Sequence, residues 1–266
     1  MALAPSADNV ILGAGELFWR PIVSGALTSY FHLGNCSRFA IILNDDIIKL
    51  KSSQTAARSL IKQVTRGREV NIEILSNEFA IDNMALALMG DAGTFTQTSS
   101  AVTGEILTSS VVAGRFYRVG GTASARNLTG VVITQGTVTW TVSTGYTVYD
   151  SEAGMIQVKS PAAGGVTTAT PATIAYTRAS LSLDTVLGAT KTKVEGSLYF
   201  IPDPTTGPQY DIEVFYCSVS PSGEMAYISE EFGEYGLAVA ALDDRQGTYG
   251  GTAAMPYFRK IHRGTA

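Results

Sequence analysis

The sequence predicts a mainly β protein with one α-helix. Three observations lead there. Hydrophobic residues make up 45% of the 266 and charged residues only 16%, below the usual quarter of a globular chain. The 27 glycines, with abundant Thr, Ser and Val, divide the chain into short runs suited to strands and turns. Only one segment repeats its apolar residues at helical spacing. The apolar content is too high for disorder, and the length suffices for a substantial core. So low a charge also suits a surface buried against copies of the same chain.

The first element opens in "VILGAGELFWRP", residues 10–21. Val10 to Gly15 starts like the strand-to-glycine turn of a dinucleotide-binding fold, but the fingerprint fails. Its third glycine position holds Phe18, and Pro21 would break a helix within its first turns. After Glu16 the next acid is Asp45, too late to hold a ribose. Gly13 and Gly15 are read instead as the bend of an N-terminal arm before a strand at residues 16–20.

Strand-like runs follow: "SYFHL", "SRFAIILN", "IIKLK" and "RSLIKQVTRGREVNIEIL". In the last, Leu60, Lys62 and Val64 oppose Ile61, Gln63 and Thr65, a mixed pattern. Val70, Ile72 and Ile74 alternate cleanly with Glu69, Asn71 and Glu73, the period of a half-buried strand. Ile81, Met84, Ala85 and Leu88 mark the helix, with Ser76 or Asn77 to cap its start and Gly90 at its end.

Residues 92–171 have another texture, Thr-, Ser-, Gly- and Val-rich, with short strands such as "RFYRV", "GVVITQ", "TVTWTVS", "YTVYD" and "MIQVK". Turn residues recur every eight to twelve positions, the rhythm of a small sandwich. Residues 172–266 return to longer strands, "TIAYTR", "TKVEGSLYFIPD", "YDIEVFYCSVS" and "EYGLAVAALD", with "PSGE" as a tight turn and "YFRKIHRG" as a basic tail. The domain reading is therefore three-part. Its parts, told apart by texture, are residues 1–91, 92–171 and 172–266.

A net charge of −4 argues against a protein that grips nucleic acid by its phosphates. No run approaches a membrane helix, and a signal-peptide pattern is not evident at the N-terminus. Cys36 and Cys217 make no disulfide framework and suit a reducing cytosol. His32 and His262 are the only histidines, no His or Cys pair has zinc-ligand spacing, and no G-x-S-x-G elbow occurs. No catalytic residue, metal ligand or cofactor is expected. Asp211 and Glu213 share a strand face as glycosidase acids can, but lack an aromatic platform nearby.

Charge segregation is the stronger signal. From Ile47 to Arg68 lie six bases, Lys49, Lys51, Arg58, Lys62, Arg66 and Arg68, and no acid. From Asp203 to Asp244 lie nine acids and no Lys or Arg. Either these are solvated faces, or opposite-sign surfaces of neighbouring subunits meet.

The order "ILGAGELFWRP", "YFHLGNCSRFAIIL" and "VNIEILSNEFAIDNMALALMG" resembles that of tail tube (major tail) proteins of long non-contractile tailed bacteriophages. Those show a "G-x-G-x-L/V-Y/F" strand, a "G-N" turn and an "N-x-A-L-A-L-x-G" helix. "VEGSLYFIPD" and "YDIEVFYCSVSPSGEMAYISEEFGEYGLAVAAL" are similar to their closing strands. The resemblance covers residues 11–91 and 172–245 and skips the middle, which it marks as an insertion: residues 1–91 then hold an N-terminal arm and the first part of the main domain, 92–171 are inserted, and 172–266 hold its second part and a C-terminal arm.

It implies two packed antiparallel sheets with one flanking α-helix, a tail-tube-type β-sandwich or barrel, plus an inserted β-rich region, with six copies in a ring and rings stacked into a hollow tube through which DNA passes into the host without specific binding. Closing a barrel removes exposed edge strands. Tape measure and tail terminator proteins are the implied partners, with no membrane; the implied location is the virion tail, assembled in the host cytoplasm. The alternative is a β-rich virion decoration protein or adhesin binding a host surface, argued from the Thr/Gly-rich middle.

Three expectations follow for residues. A long hairpin over 45–68 should carry Lys49, Lys51 and Arg58 in its loop and contact the next ring, with Lys62, Arg66 and Arg68 beside them. Residues 92–171 should lie on the tube exterior. Glu69, Glu73, Asp211 or Glu213 should be represented on the lumen, opposite Val70, Ile72, Ile74 and Ile212, Val214, Tyr216, a subunit interface being the alternative place for either pair.

Overall fold

The computed structural model describes residues 9–54, 56–109, 111–121, 124–159 and 171–265. Parts of the expected N-terminal arm and inserted region therefore lie outside the described residues. Among the described residues the chain is mainly β, with several antiparallel sheets and one helix, as its composition and period-two runs predict. It divides into two compact units, Met1–Gly93 with Val186–Ala266, and Thr94–Thr185.

The first unit begins with β1 (Gly15–Val23), β2 (Ala26–Leu27) and β3 (Phe31–His32), followed by the long strands β4 (Cys36–Lys51) and β5 (Leu60–Ser76). Gly15 is required by close approach, since a Cβ there would run into the Ile201 carbonyl and the Phe200 ring. Gly13 has open space instead, so it meets no such demand. His32 is structural: its Nδ1 accepts the Gly34 amide at 2.8 Å and its ring stands edge-on to Phe18.

Helix α1 (Ile81–Ala87) starts at Ala80, without a side-chain cap. This corrects the capping expectation, because the two polar candidates are spent on the turn before it. Ser76 Oγ donates to the Leu33 and Asn35 carbonyls, and Asn77 Oδ1 accepts from Asn35 Nδ2. The helix ends in a Schellman arrangement: Met89, at φ 49°, donates to Leu86 O, and Gly90 donates to Ala85 O. The left-handed residue is thus Met89. Gly90 is needed because a Cβ would collide with the Leu187 carbonyl.

The chain leaves this unit within β6 (Asp91–Gln97). The second unit contains β7 (Ser100–Thr108), β8 (Phe116–Arg118), β9 (Leu128–Gln135), β10 (Val138–Thr139), β11 (Tyr146–Asp150), β12 (Met155–Val158) and β13 (Ala172–Arg178). They form a four-stranded sheet, β10-β9-β13-β7, and a three-stranded sheet, β11-β12-β8. Ile133, Trp140, Tyr146, Ile156, Ile174 and Tyr176 share one core between them. Because β13 lies between β9 and β7 in the ladder, "TIAYTR" belongs to this unit, and the return crossing falls in β14 (Leu181–Leu187). The expected boundary at 171/172 is corrected to 185/186 for that reason.

The first unit resumes with β15 (Val194–Pro202), β16 (Pro208–Ser222), β17 (Tyr235–Ala241) and β18 (Phe258–Thr265). Its nine-stranded sheet runs β2-β1-β15-β16-β17-β5-β4, with β3 on β1 and β18 on β16. The sheet curls, since Phe39 of β4 stacks on Phe200 of β15, 5.1 Å between ring centres, although the two strands are far apart in the order. Leu17, Trp19, Val70, Ile72, Ile74, Val214 and Leu237 meet inside with Leu86 of the helix.

Two further expectations are corrected. The basic "tail" is β18, an ordered strand pairing with residues 208–214 of β16. "PSGE" is no tight turn: Pro221 and Ser222 still pair with Leu237 and Gly236, and residues 223–234 form a long loop.

Candidate functional site

Strands β4 and β5 pair from end to end, but the sheet supports only one end of them. Strand β17 covers β5 from Val70 to Ser76 and stops there. Beyond that point the hairpin continues as a bare two-stranded ribbon, and every residue from Leu43 to Lys51 and from Leu60 to Glu69 is exposed. Alternation places Ile48, Leu50, Lys62 and Val64 on one face, with Ile47, Lys49, Gln63 and Thr65 on the other. A ribbon with both faces wet shows no clean period, which is why 60–65 reads as mixed. The hairpin loop spans residues 52–59 and is closed by the Ser52 amide on Ser59 O at 2.7 Å. Lys49 and Lys51 therefore stand on β4 rather than in the loop, and only Arg58 of the three is in it.

The structure sorts the six bases. Arg66 pairs with Asp46 at 2.7 Å and Arg68 with Asp45 at 2.6 Å, both at the base of the ribbon. Hydrogen bonding to Arg68 holds the Asp45 carboxyl below its usual range. Lys49, Lys51, Arg58 and Lys62 have no salt bridge among the described residues. Four cations are left at the tip.

The nine acids sort in the same way. Asp211 Oδ2 accepts from Arg263 at 2.8 Å and from the Tyr199 hydroxyl at 3.2 Å. Glu213 is held by Arg259, and Asp243 by Arg245. Asp244 accepts the amides of Thr248, Tyr249 and Gly251 at 2.8–2.9 Å, fixing the loop before β18. What remains is concentrated between β16 and β17: Glu224, Glu230, Glu231 and Glu234 are exposed and without a salt bridge among the described residues. In the same loop Ile228 is 97% and Phe232 94% exposed. These glutamates line an open depression of about 870 Å³ with Asn77 and Phe232.

Of the four carboxylates expected on a channel wall, Val70, Ile72 and Ile74 do oppose Glu69 and Glu73, and Ile212 and Val214 oppose Asp211 and Glu213. Only Glu69 stands without a salt bridge among the described residues; Glu73 pairs with Arg38 at 3.0 Å. Asp211 is only 6% exposed, which corrects its expected open placement; Arg263 lies across it. Tyr216 is also corrected. A register shift between Gly196 and Leu198 puts Val214 and Cys217, three apart, into the same core, and Tyr216 turns to the carboxylate side to donate to Glu195. Burial and that carboxylate push the Tyr216 hydroxyl up to about 12.

Asp211 and Glu213 each have an arginine of β18, delivered from 46 or more residues away, which sequence spacing could not show. Among the described residues no group of three or more His, Cys, Asp or Glu is placed to hold a metal ion. No described helix is long and apolar enough to cross a membrane. The arrangement is one of surfaces: a cationic, apolar ribbon tip and an acidic, apolar loop on a curled sheet. Residues 10–259 match the family described as "Protein of unknown function UCP028589", and the chain belongs to that family. No curated protein matches it.

Proposed function

We propose that this chain is a structural virion protein, the tail tube subunit of a long non-contractile phage tail, which assembles in the host cytoplasm into stacked hexameric rings. The observation that carries the reading is the β4–β5 ribbon. Isolated two-stranded hairpins are marginal in water, and this one exposes Leu43, Ile48, Leu50, Leu60, Ile61 and Val64 beyond the edge of its sheet. A second chain covering it would remove that apolar surface, and a stacked ring supplies one. The curled sheet with its single helix suits the ring-forming part. Thr94–Thr185, with its own closed core, suits an extension on the tube exterior.

The sheet face away from the core suits a duct for DNA. Arg38, Arg259 and Arg263 cancel Glu73, Glu213 and Asp211 on it, so it offers phosphate no strong cationic grip. Tape measure and terminator proteins would be the partners inside and at the end of such a tube. Negative-stain microscopy of the purified protein should show rings about one subunit thick and hollow tubes made of them. A protein that stays monomeric by sedimentation at high concentration, with no rings on the grid, would overturn the reading.

A further inference from the structure

We propose that the tip of the β4–β5 hairpin docks on the 223–234 loop of a second copy of this chain, joining copies head to tail. The inference rests on the self-assembly proposed above and names the surface that receives the hairpin. Its ground is the charge left after internal pairing: Lys49, Lys51, Arg58 and Lys62 on one element, Glu224, Glu230, Glu231 and Glu234 on another. Each set surrounds exposed apolar groups, Ile48, Leu50 and Val64 at the tip, Ile228 and Phe232 in the loop. Complementary charge fixes the partner and register, while covering the apolar groups supplies the free energy.

A tip cannot reach the loop of its own chain. The loop adjoins the far end of β5, where Tyr235 pairs with Ser76 and the Phe79 ring contacts both Tyr227 and Tyr235. From Lys62 to Ser76 the strand extends roughly 45 Å at about 3.3 Å per residue. Both surfaces belong to the same unit and sit at opposite ends of one ladder. Contact between two different surfaces is heterologous, and where it does not close it propagates as an open stack.

Two exposed triple variants test this: Lys49→Glu/Lys51→Glu/Lys62→Glu, which retains only the loop, and Glu224→Lys/Glu230→Lys/Glu231→Lys, which retains only the tip. Circular dichroism and thermal melting check that both fold, and the corresponding alanine triples provide milder versions. By sedimentation velocity and electron microscopy, wild type should elongate and neither variant alone should. Mixed, the two reversed variants should elongate again as an alternating column, because the Glu tip of one meets the Lys loop of the other, whereas the two alanine triples mixed should form a single junction that doubles the mass and stops; both contacts should weaken by at least about tenfold between roughly 50 and 500 mM salt as screening shortens. Elongation of the loop variant at the wild-type rate, or no junction in the mixture, overturns the docking while leaving the tube reading intact. A junction between particles that are not hollow rings supports the docking and overturns the tube.

Discussion

Every salt bridge found among the described residues, from Arg38–Glu73 to Arg263–Asp211, lies in the unit formed by Met1–Gly93 and Val186–Ala266. Thr94–Thr185 closes its polar groups differently. Gln97 donates to the Arg126 and Ala179 carbonyls, Tyr146 donates to Val131 O at 2.7 Å, and Glu105 accepts both the Tyr176 hydroxyl and the Gly120 amide. Exposed ion pairs add little to stability, typically ~0–1 kcal/mol each. In the first unit they cancel charge over one sheet face and leave it uncancelled at two places. The contrast separates a unit whose polar groups close by hydrogen bonds from one that carries uncancelled charge beside exposed apolar groups.

The largest expected effect comes from cutting at the boundary. Replacing residues 94–185 by a short Gly-Ser linker should leave a folded first unit, because β6 and β14 pair as a ribbon at the crossing. Replacing 92–171 should yield insoluble protein. It strips β7 and β9 from β13 and exposes Ile174 and Tyr176, which are buried between them. Trp19 and Trp140 are the only tryptophans and stand one in each core. Fluorescence melting of the first deletion therefore reports Trp19 alone, and loss of its cooperative transition would show the two units to be one.

The second effect compares the cores directly. Trp19→Ala should cost about 3–5 kcal/mol and Ile133→Ala about 2–5 kcal/mol. Each should speed amide exchange throughout its own unit and leave the other protected. Equal loss of protection in both units after either change would break the comparison.

The smallest effect concerns the base of the ribbon. Asp45 has a folded pKa depressed by Arg68, so its contribution is present above the unfolded value of about 3.9 and is lost as pH falls through the lower folded value. Exchange of the ribbon amides should accelerate in that acid window, while those around Tyr146 stay unchanged. Asp45→Asn should abolish the pH step; a step that persists would assign it to another carboxylate.

Legibility in the sequence followed burial. Val70, Ile72 and Ile74 were readable because one face of β5 is dry there and the other wet. Leu60 to Thr65 of the same strand were not, because both faces are wet. The helix was readable by its spacing, but its start was not, since Ser76 and Asn77 serve tertiary contacts to residues 33–35. β18 passed for a tail because its arginines, which look like solvated charge, are partners for Asp211 and Glu213. The segregation of bases and acids was legible as blocks. Which members of each block remain uncancelled depended on strand register and long-range pairing, which composition does not encode.

The separation of the hairpin tip from the 223–234 loop along β5 has a consequence for growth. If copies join as proposed, a subunit whose donor and acceptor lie at opposite ends of one ladder would add further subunits in one orientation only. The resulting column would have unlike ends, one a crown of basic tips, the other a crown of free glutamates. Initiation and termination are then two different recognition problems. Under that proposal a factor that starts the column and one that stops it would have to present opposite charge, and neither could substitute for the other.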